Sequence, residues 1–194
     1  MASVKRICVY CGSSARVDEV YRAAATRFGV ILAKAGIELV YGGGRVGLMG
    51  LLADAALASG GRVTGIIPTH LHSQEIGHTG VNELIVVDNM HQRKRQMFEM
   101  SDAFVVLPGG LGTLDETLEI ITWRQLGLHD KPIIVVDVAG YWTPLIELIE
   151  HAVASGFANR RSLQLYRAVA RVEDVLPALA AAPQPEFEPE PKLV

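Results

Sequence analysis

Residues 103–123 read AFVVLPGGLGTLDETLEIITW. An unbroken apolar run closes on Pro108, three glycines and a threonine follow within five residues, and apolar residues then return at Leu114, Leu118 and Ile121. Apolar residues at steps of three and four mark one face of a helix, whereas a short β-branched run without alternation marks a strand covered on both sides. A covered strand that turns through glycines into a helix is half of a parallel crossover unit.

The same grammar repeats along the chain. Strands are predicted at KRICVY (5–10), ELVYG (38–42), RVTGII (62–67), ELIVVD (83–88), AFVVLP (103–108) and PIIVVD (132–137). Helical patterns separate or follow them at 20–36, 49–61, 90–101, 114–127 and 141–156. Such alternation predicts an α/β fold: a doubly wound, mainly parallel, Rossmann-like sheet with helices on both faces. A short apolar piece, LYRAVAR, and an amphipathic helix near EDVLPALAAA close the domain, expected to span 1–182. The last twelve residues, PQPEFEPEPKLV (183–194), alternate proline with acids and are expected to be a disordered tail.

Composition narrows the function classes. The chain has 194 residues, 49% of them hydrophobic and 20% charged, with a formal net charge of −3. That balance suits one core and argues against broad nucleic-acid binding, which needs a basic surface. No apolar run approaches the length of a membrane span, and MASVKR leads directly into a strand, so a cytoplasmic protein without a membrane partner is expected. Cys8 and Cys11 sit three apart in a strand, where their side chains point to opposite faces and share neither metal nor disulfide. His70 and His72 have no third ligand at a useful spacing.

In such a sheet ligands bind beyond the carboxyl ends of the strands. The predicted exits are CGSS (11–14), GGGRVGLMG (42–50), PTHLHSQEIGH (68–78), DNMHQRKRQM (88–97) and PGGLGTLDE (108–116). Small residues ahead of helix starts leave N–H groups free for phosphate, as at Gly12 and Ser13, at Gly42 to Gly44, where Gly43 and Gly44 are the candidates, and at Gly109 to Thr113. Gly42, Gly44 and Gly47 also spell G-x-G-x-x-G, but the next strand runs into Ile66-Ile67-Pro68 with no acid for a ribose, which disfavours a dinucleotide. Gly47 and Gly50 are equally well explained by close helix–sheet packing. Arg93 and Lys94 fall in the first turns of a helix expected to start near Asn89, where cations oppose the helix dipole. An anionic ligand would compensate; Arg95 is read as a solvated surface charge. Thr113-Leu-Asp-Glu116 matches a capping box, which gives Glu116 a structural explanation. Capping does not require Gly109, Gly110 and Gly112, which read as backbone cleared for a ligand.

PGGLGTLDE (108–116) together with MHQRKRQM (90–97) resembles the twin signature of the LOG ("Lonely Guy") family, PGGxGTxxE plus MHxRKxxM. YGGGRVGLMG (41–50), the CGSS turn and ITWRQLGLHDKP (121–132) are similar to the same family, so the likeness runs from about residue 5 to about 160. It implies hydrolysis of the N-glycosidic bond of N6-modified adenosine 5′-monophosphates, giving free base and ribose 5-phosphate, with no cofactor and no metal. It places Glu75, Arg93, Lys94, Gly110, Leu111, Gly112, Thr113, Leu114, Asp115, Glu116 and Thr122 around the substrate. Glu116 and Arg93 are implied as the catalytic pair, the backbone of Gly110 to Thr113 as the phosphate holder, and Lys94 or Thr122 as its helper; Asp115, where relatives often carry Glu, has no chemistry of its own. Loss of Arg93 should then cost activity and not stability. Relatives have been labelled lysine decarboxylases, but no lysine lies in the glycine loop to form a Schiff base. Family members are typically homodimers, and the helix with Ile120, Ile121, Trp123 and Leu126 could serve the core alone or the core and a partner. A non-catalytic nucleotide or molybdenum-cofactor carrier of similar fold is the competing reading; it would need the cradle without the acid.

Overall fold

Seven strands lie side by side and parallel, in the order β4-β3-β2-β1-β5-β6-β7. The computed structural model describes residues 4–72 and 77–181; Glu75 and the tail 183–194 lie outside the described residues. In chain order the elements are β1 (Arg6–Tyr10), α1 (Glu19–Lys34), β2 (Glu38–Tyr41), α2 (Gly47–Ala58), β3 (Val63–Pro68) and the single turn α3 (Thr69–His72). Then come β4 (Glu83–Val87), α4 (Met90–Glu99), β5 (Ala103–Val106), α5 (Leu111–Gln125), β6 (Ile133–Val136), α6 (Thr143–Ala154), β7 (Arg167–Val169) and α7 (Val175–Ala180). The six predicted strands are present, and the short piece LYRAVAR supplies the seventh at one edge.

The continuous apolar runs are explained by cover on both faces. In β1, Ile7 and Val9 enter a core with Phe28 and Leu32 of α1, Leu52 and Ala56 of α2, and Val175 of α7. Cys8 and Tyr10 enter the opposite core with Met97 of α4, Ile120 and Ile121 of α5, and Trp142 before α6. Cys8 and Cys11 thus lie in different cores, both as free thiols. α1 and α2 cross at Gly29, where a Cβ would come within 2.3 Å of the Leu52 carbonyl, so only glycine permits that approach. α1, α2, α5 and α6 each end on a glycine with positive φ (Gly36, Gly60, Gly127, Gly156), which takes up the last carbonyls of the helix.

Strand order decides where a ligand can go. From β1 the chain builds outward through β2, β3 and β4, then returns to place β5 on the other side of β1. The loops leaving β1 and β5 therefore part in opposite directions, and a crevice opens between them at the carboxyl edge. Among the described residues no helix is long and apolar enough to cross a membrane.

Candidate active site

That crevice holds a cavity of about 200 Å³. Cys11, Gly12 and Ser13 from the end of β1, Gly42 from β2, Met90, Arg93 and Met97 from α4, and Gly110 to Thr113 with Glu116 from α5 all face it. Four strand exits, far apart in sequence, meet at this one point.

The floor is the start of α5. Gly110 is its N-cap and offers no side-chain cap; the first backbone bond inside the helix runs from the Leu114 N–H to the Gly110 carbonyl at 3.0 Å. The N–H groups of Leu111, Gly112 and Thr113 precede any intrahelical acceptor, and the positive end of a fifteen-residue helix points the same way. Such a helix start can hold an anion. The expected capping box is not formed: the helix begins two residues earlier than Thr113, so Thr113 and Glu116 lie inside it. Glycines at 110 and 112 blur the boundary in sequence, because the pattern of a threonine followed three residues later by glutamate is the same whether or not the preceding loop has already turned helical.

The loop glycines divide by cause. A Cβ on Gly109 would stand 2.1 Å from the Thr113 hydroxyl, so the fold itself demands glycine there, and the Tyr141 hydroxyl donates to the Gly109 carbonyl at 2.7 Å. A Cβ on Gly110 or Gly112 would meet no protein atom within 4 Å. Nothing in the chain itself bars a side chain at these two positions. We expect Gly112→Ala to hold or raise the melting temperature, since alanine in place of a helical glycine contributes about 0.5–1 kcal/mol. The same variant should raise KM for a phosphorylated substrate by at least ~10-fold. Unchanged KM would remove Gly112 from the site.

Arg93 forms the opposite wall and is only 6% exposed. Its Nε donates to the Ile66 carbonyl at 3.2 Å and its Nη2 to the Gly42 carbonyl at 2.8 Å, while Nη1 lies 3.7 Å from the Met90 sulfur. The ends of β2 and β3 thus hold the guanidinium, and no described carboxylate pairs with it in a salt bridge. A buried cation with carbonyls on one side and a cavity on the other is set for an anion. Arg93 is thus bonded to the fold as well as facing the cavity, so its removal is expected to lower stability as well as activity. The Asn89 side chain, accepting from the Gln92 N–H at 3.0 Å, starts α4 where the sequence places it.

Glu116 shares the cavity with Arg93 and is 9% exposed. Burial pushes its carboxyl up to about 7, against the opposing pull of Arg93; the neighbouring Asp115 adds to the rise. A carboxyl poised near neutrality can both hold a proton and release it under working conditions.

The remaining expected residues are placed as follows. Gly12 and Ser13 line the cavity; Gly43 and Gly44 instead join two loops, the His78 N–H donating to the Gly43 carbonyl at 3.0 Å and Gly44 bridging to Gly77. Gly47 lies against the Ser13 backbone and Gly50 against the Arg45 carbonyl, so both serve packing. Leu114 turns into the core beside α4, and Thr122 is exposed further along α5. Lys94 and Asp115 are bound to each other, 3.1 Å apart, and neither lines the cavity. Gly42, one of the glycines expected at a phosphate, does line the cavity, whereas Met49, Met90 and Met97 line it without having been singled out in the sequence. Met90, Arg93 and Met97 are spaced three and four apart, one helical face, and that spacing was the available signal.

Comparison with known proteins identifies the family and the fold. A protein-family model described as "Possible lysine decarboxylase" matches residues 49–179. The chain is 50% identical over 155 residues to the cytokinin riboside 5′-monophosphate phosphoribohydrolase LOG1 of Arabidopsis thaliana, covering 80% of this chain and 73% of that one. It is 43% identical over 186 residues to LOG7 of the same plant and name, covering 96% and 83%. A molybdenum cofactor carrier protein from Chlamydomonas reinhardtii shares the fold at a TM-score of 0.70 and 20% identity, covering 92% of this chain and 97% of that one. No lysine lines the described cavity, so the decarboxylase label finds no Schiff-base residue there. At 50% identity to LOG1 over 155 residues and 43% to LOG7 over 186, and with the family model matching residues 49–179, the chain belongs to the LOG family.

Proposed function

We propose that this protein hydrolyses the N-glycosidic bond of adenosine 5′-monophosphates, N6-modified ones included, releasing the free base and ribose 5-phosphate. The observation that carries this reading is the meeting of a buried carboxyl, Glu116, with a buried guanidinium, Arg93, over an uncapped helix start. The 5′-phosphate rests on the N–H groups of Leu111 to Thr113. As the bond from the anomeric carbon to the base nitrogen breaks, its electron pair leaves with the base and positive charge grows on the sugar. Glu116, as carboxylate, stabilises that charge and takes a proton from the water whose oxygen joins the anomeric carbon; that proton then passes to the nitrogen of the departing base, which leaves neutral and restores the carboxylate. Arg93 holds the sugar's oxygens on the other side. A carrier of the same fold would need only the cradle, and burying Glu116 would serve nothing.

The test is incubation with AMP and isopentenyladenosine monophosphate, beside their nucleosides, with chromatography for free base. Base should appear from the monophosphates and not from the nucleosides. Equal release from nucleosides, or none from any of the four, overturns the reading. We further assign residues 1–182 to one catalytic domain, a cytoplasmic location consistent with two unpaired cysteines, and a homodimer. Leu118 on α5 and Leu126 just past its end, 43% and 62% exposed while Ile120 and Ile121 are buried, support a partner against that helix.

A further inference from the structure

The family likeness implies Lys94 or Thr122 as helper at the substrate phosphate, but the Lys94 ammonium is engaged elsewhere. Lys94 Nζ donates to Glu119 Oε1 at 3.0 Å and to Asp115 Oδ2 at 3.1 Å. Its side chain is 12% exposed, so this is a largely sheltered contact rather than a loose surface pair. Lys94 directly follows Arg93 on α4; Asp115 directly precedes Glu116 on α5, and Glu119 follows it by three residues. One ammonium therefore closes on both sides of the acid from the helix that carries the guanidinium.

We infer that Lys94 is a positioning residue: it braces α4 to α5, sets the spacing of Arg93 and Glu116, and neutralises the two acids that flank Glu116. The inference rests on the reading of Arg93 and Glu116 as the reacting pair. The ammonium stays charged throughout the working range, because its hydrogen bonds to Glu119 and Asp115 outweigh the burial that would lower its pKa. The groups that act on Glu116 are Arg93 and Lys94 from α4, Asp115 and Glu119 from α5, and Cys8, Tyr10 and Cys11 from β1 and its exit. Burial holds the two thiols and the phenol neutral. Two cations then stand against two anions around the acid. Removing Lys94 leaves one against two, and ionisation of Glu116 becomes harder.

The test compares Lys94→Met with the natural protein in kcat, KM, inhibition by the product ribose 5-phosphate, and the pH profile of kcat/KM. We expect kcat at pH 7 to fall by at least ~10-fold, while KM and the product inhibition constant move less than about threefold. The acid limb of the profile should move up by roughly half a unit or more. Lys94→Arg should restore most of kcat. Breaking the brace from the other side, with Asp115→Asn and Glu119→Gln together, should also lower kcat but move the acid limb down. This second variant decides the matter if Lys94→Met fails to fold: natural kcat in it overturns the brace. Loss of substrate and product affinity in step with an unmoved acid limb would make Lys94 a phosphate ligand and overturn the inference. Unchanged kinetics in Lys94→Met would overturn it too. Failure of the underlying reading is separable, since it would appear as full turnover in Glu116→Gln whatever Lys94 does.

Discussion

Glu116→Gln will lower kcat by at least ~100-fold and leave the melting temperature above pH 7 unchanged or higher. The carboxyl sits almost wholly buried, with an ordinary value of 4.5 pushed to about 7. Between these two values the folded protein retains a proton that the unfolded chain has released. Stability therefore falls as pH rises from about 4.5 through 7, and above that the whole penalty of burying the charge persists. At about 1.4 kcal/mol per unit the penalty is roughly 3 kcal/mol. Glutamine is neutral at every pH and escapes it, so the variant's stability should be flatter across this window. A residue kept at a cost to the fold and lost at a cost to turnover is a working residue. The check is base release at pH 8 beside thermal unfolding at pH 5 and pH 8. Natural turnover in the variant, or a melting temperature several degrees lower at pH 8, would make Glu116 a structural residue. In the natural protein the same titration should appear as a rise in kcat/KM through about pH 7.

Gly42→Ala should be almost as damaging as loss of Arg93 itself. A Cβ at residue 42 would lie 2.0 Å from Arg93 Nη2 and 3.0 Å from Cζ, so the guanidinium must abandon the Gly42 carbonyl and shift within its wall. Displacement of an orienting group by an ångström or so is enough to cost on the order of 100-fold. We expect kcat/KM to fall by at least that factor, with the protein still folded. Arg93→Ala should lose as much activity and also melt earlier. It leaves the buried carbonyls of Gly42 and Ile66 without their donors, at about 1–3 kcal/mol for each. Added guanidinium ion should restore part of the activity of Arg93→Ala by occupying the vacated space, and should do nothing for Glu116→Gln. Natural kcat/KM in Gly42→Ala would show that the clamp on Arg93 is irrelevant to the reaction.

The sequence by itself determined the layers of this molecule. Runs such as IIVV at 133–136 have to be covered on both faces, glycines such as Gly36 and Gly127 have to end helices, and both constraints act within a few residues. The glycine turn at 108–113 and the cation at Arg93 were legible for the same reason: glycines clustered ahead of a helix and a charge against a helix dipole are local facts. Tertiary structure alone decided the start of α5, the partners of Lys94 and the pKa of Glu116. Whether Thr113 caps a helix depends on where the preceding loop is held, and that loop is fixed by Tyr141, thirty-two residues away from Gly109. Whether Lys94 meets a phosphate or two carboxylates depends on how α4 lies against α5, which no spacing within either helix records. Gly42 stands fifty-one residues from Arg93 in sequence and in contact with it in space. Desolvation of Glu116 is likewise a property of everything packed around it, and periodicity carries no information about such distant neighbours.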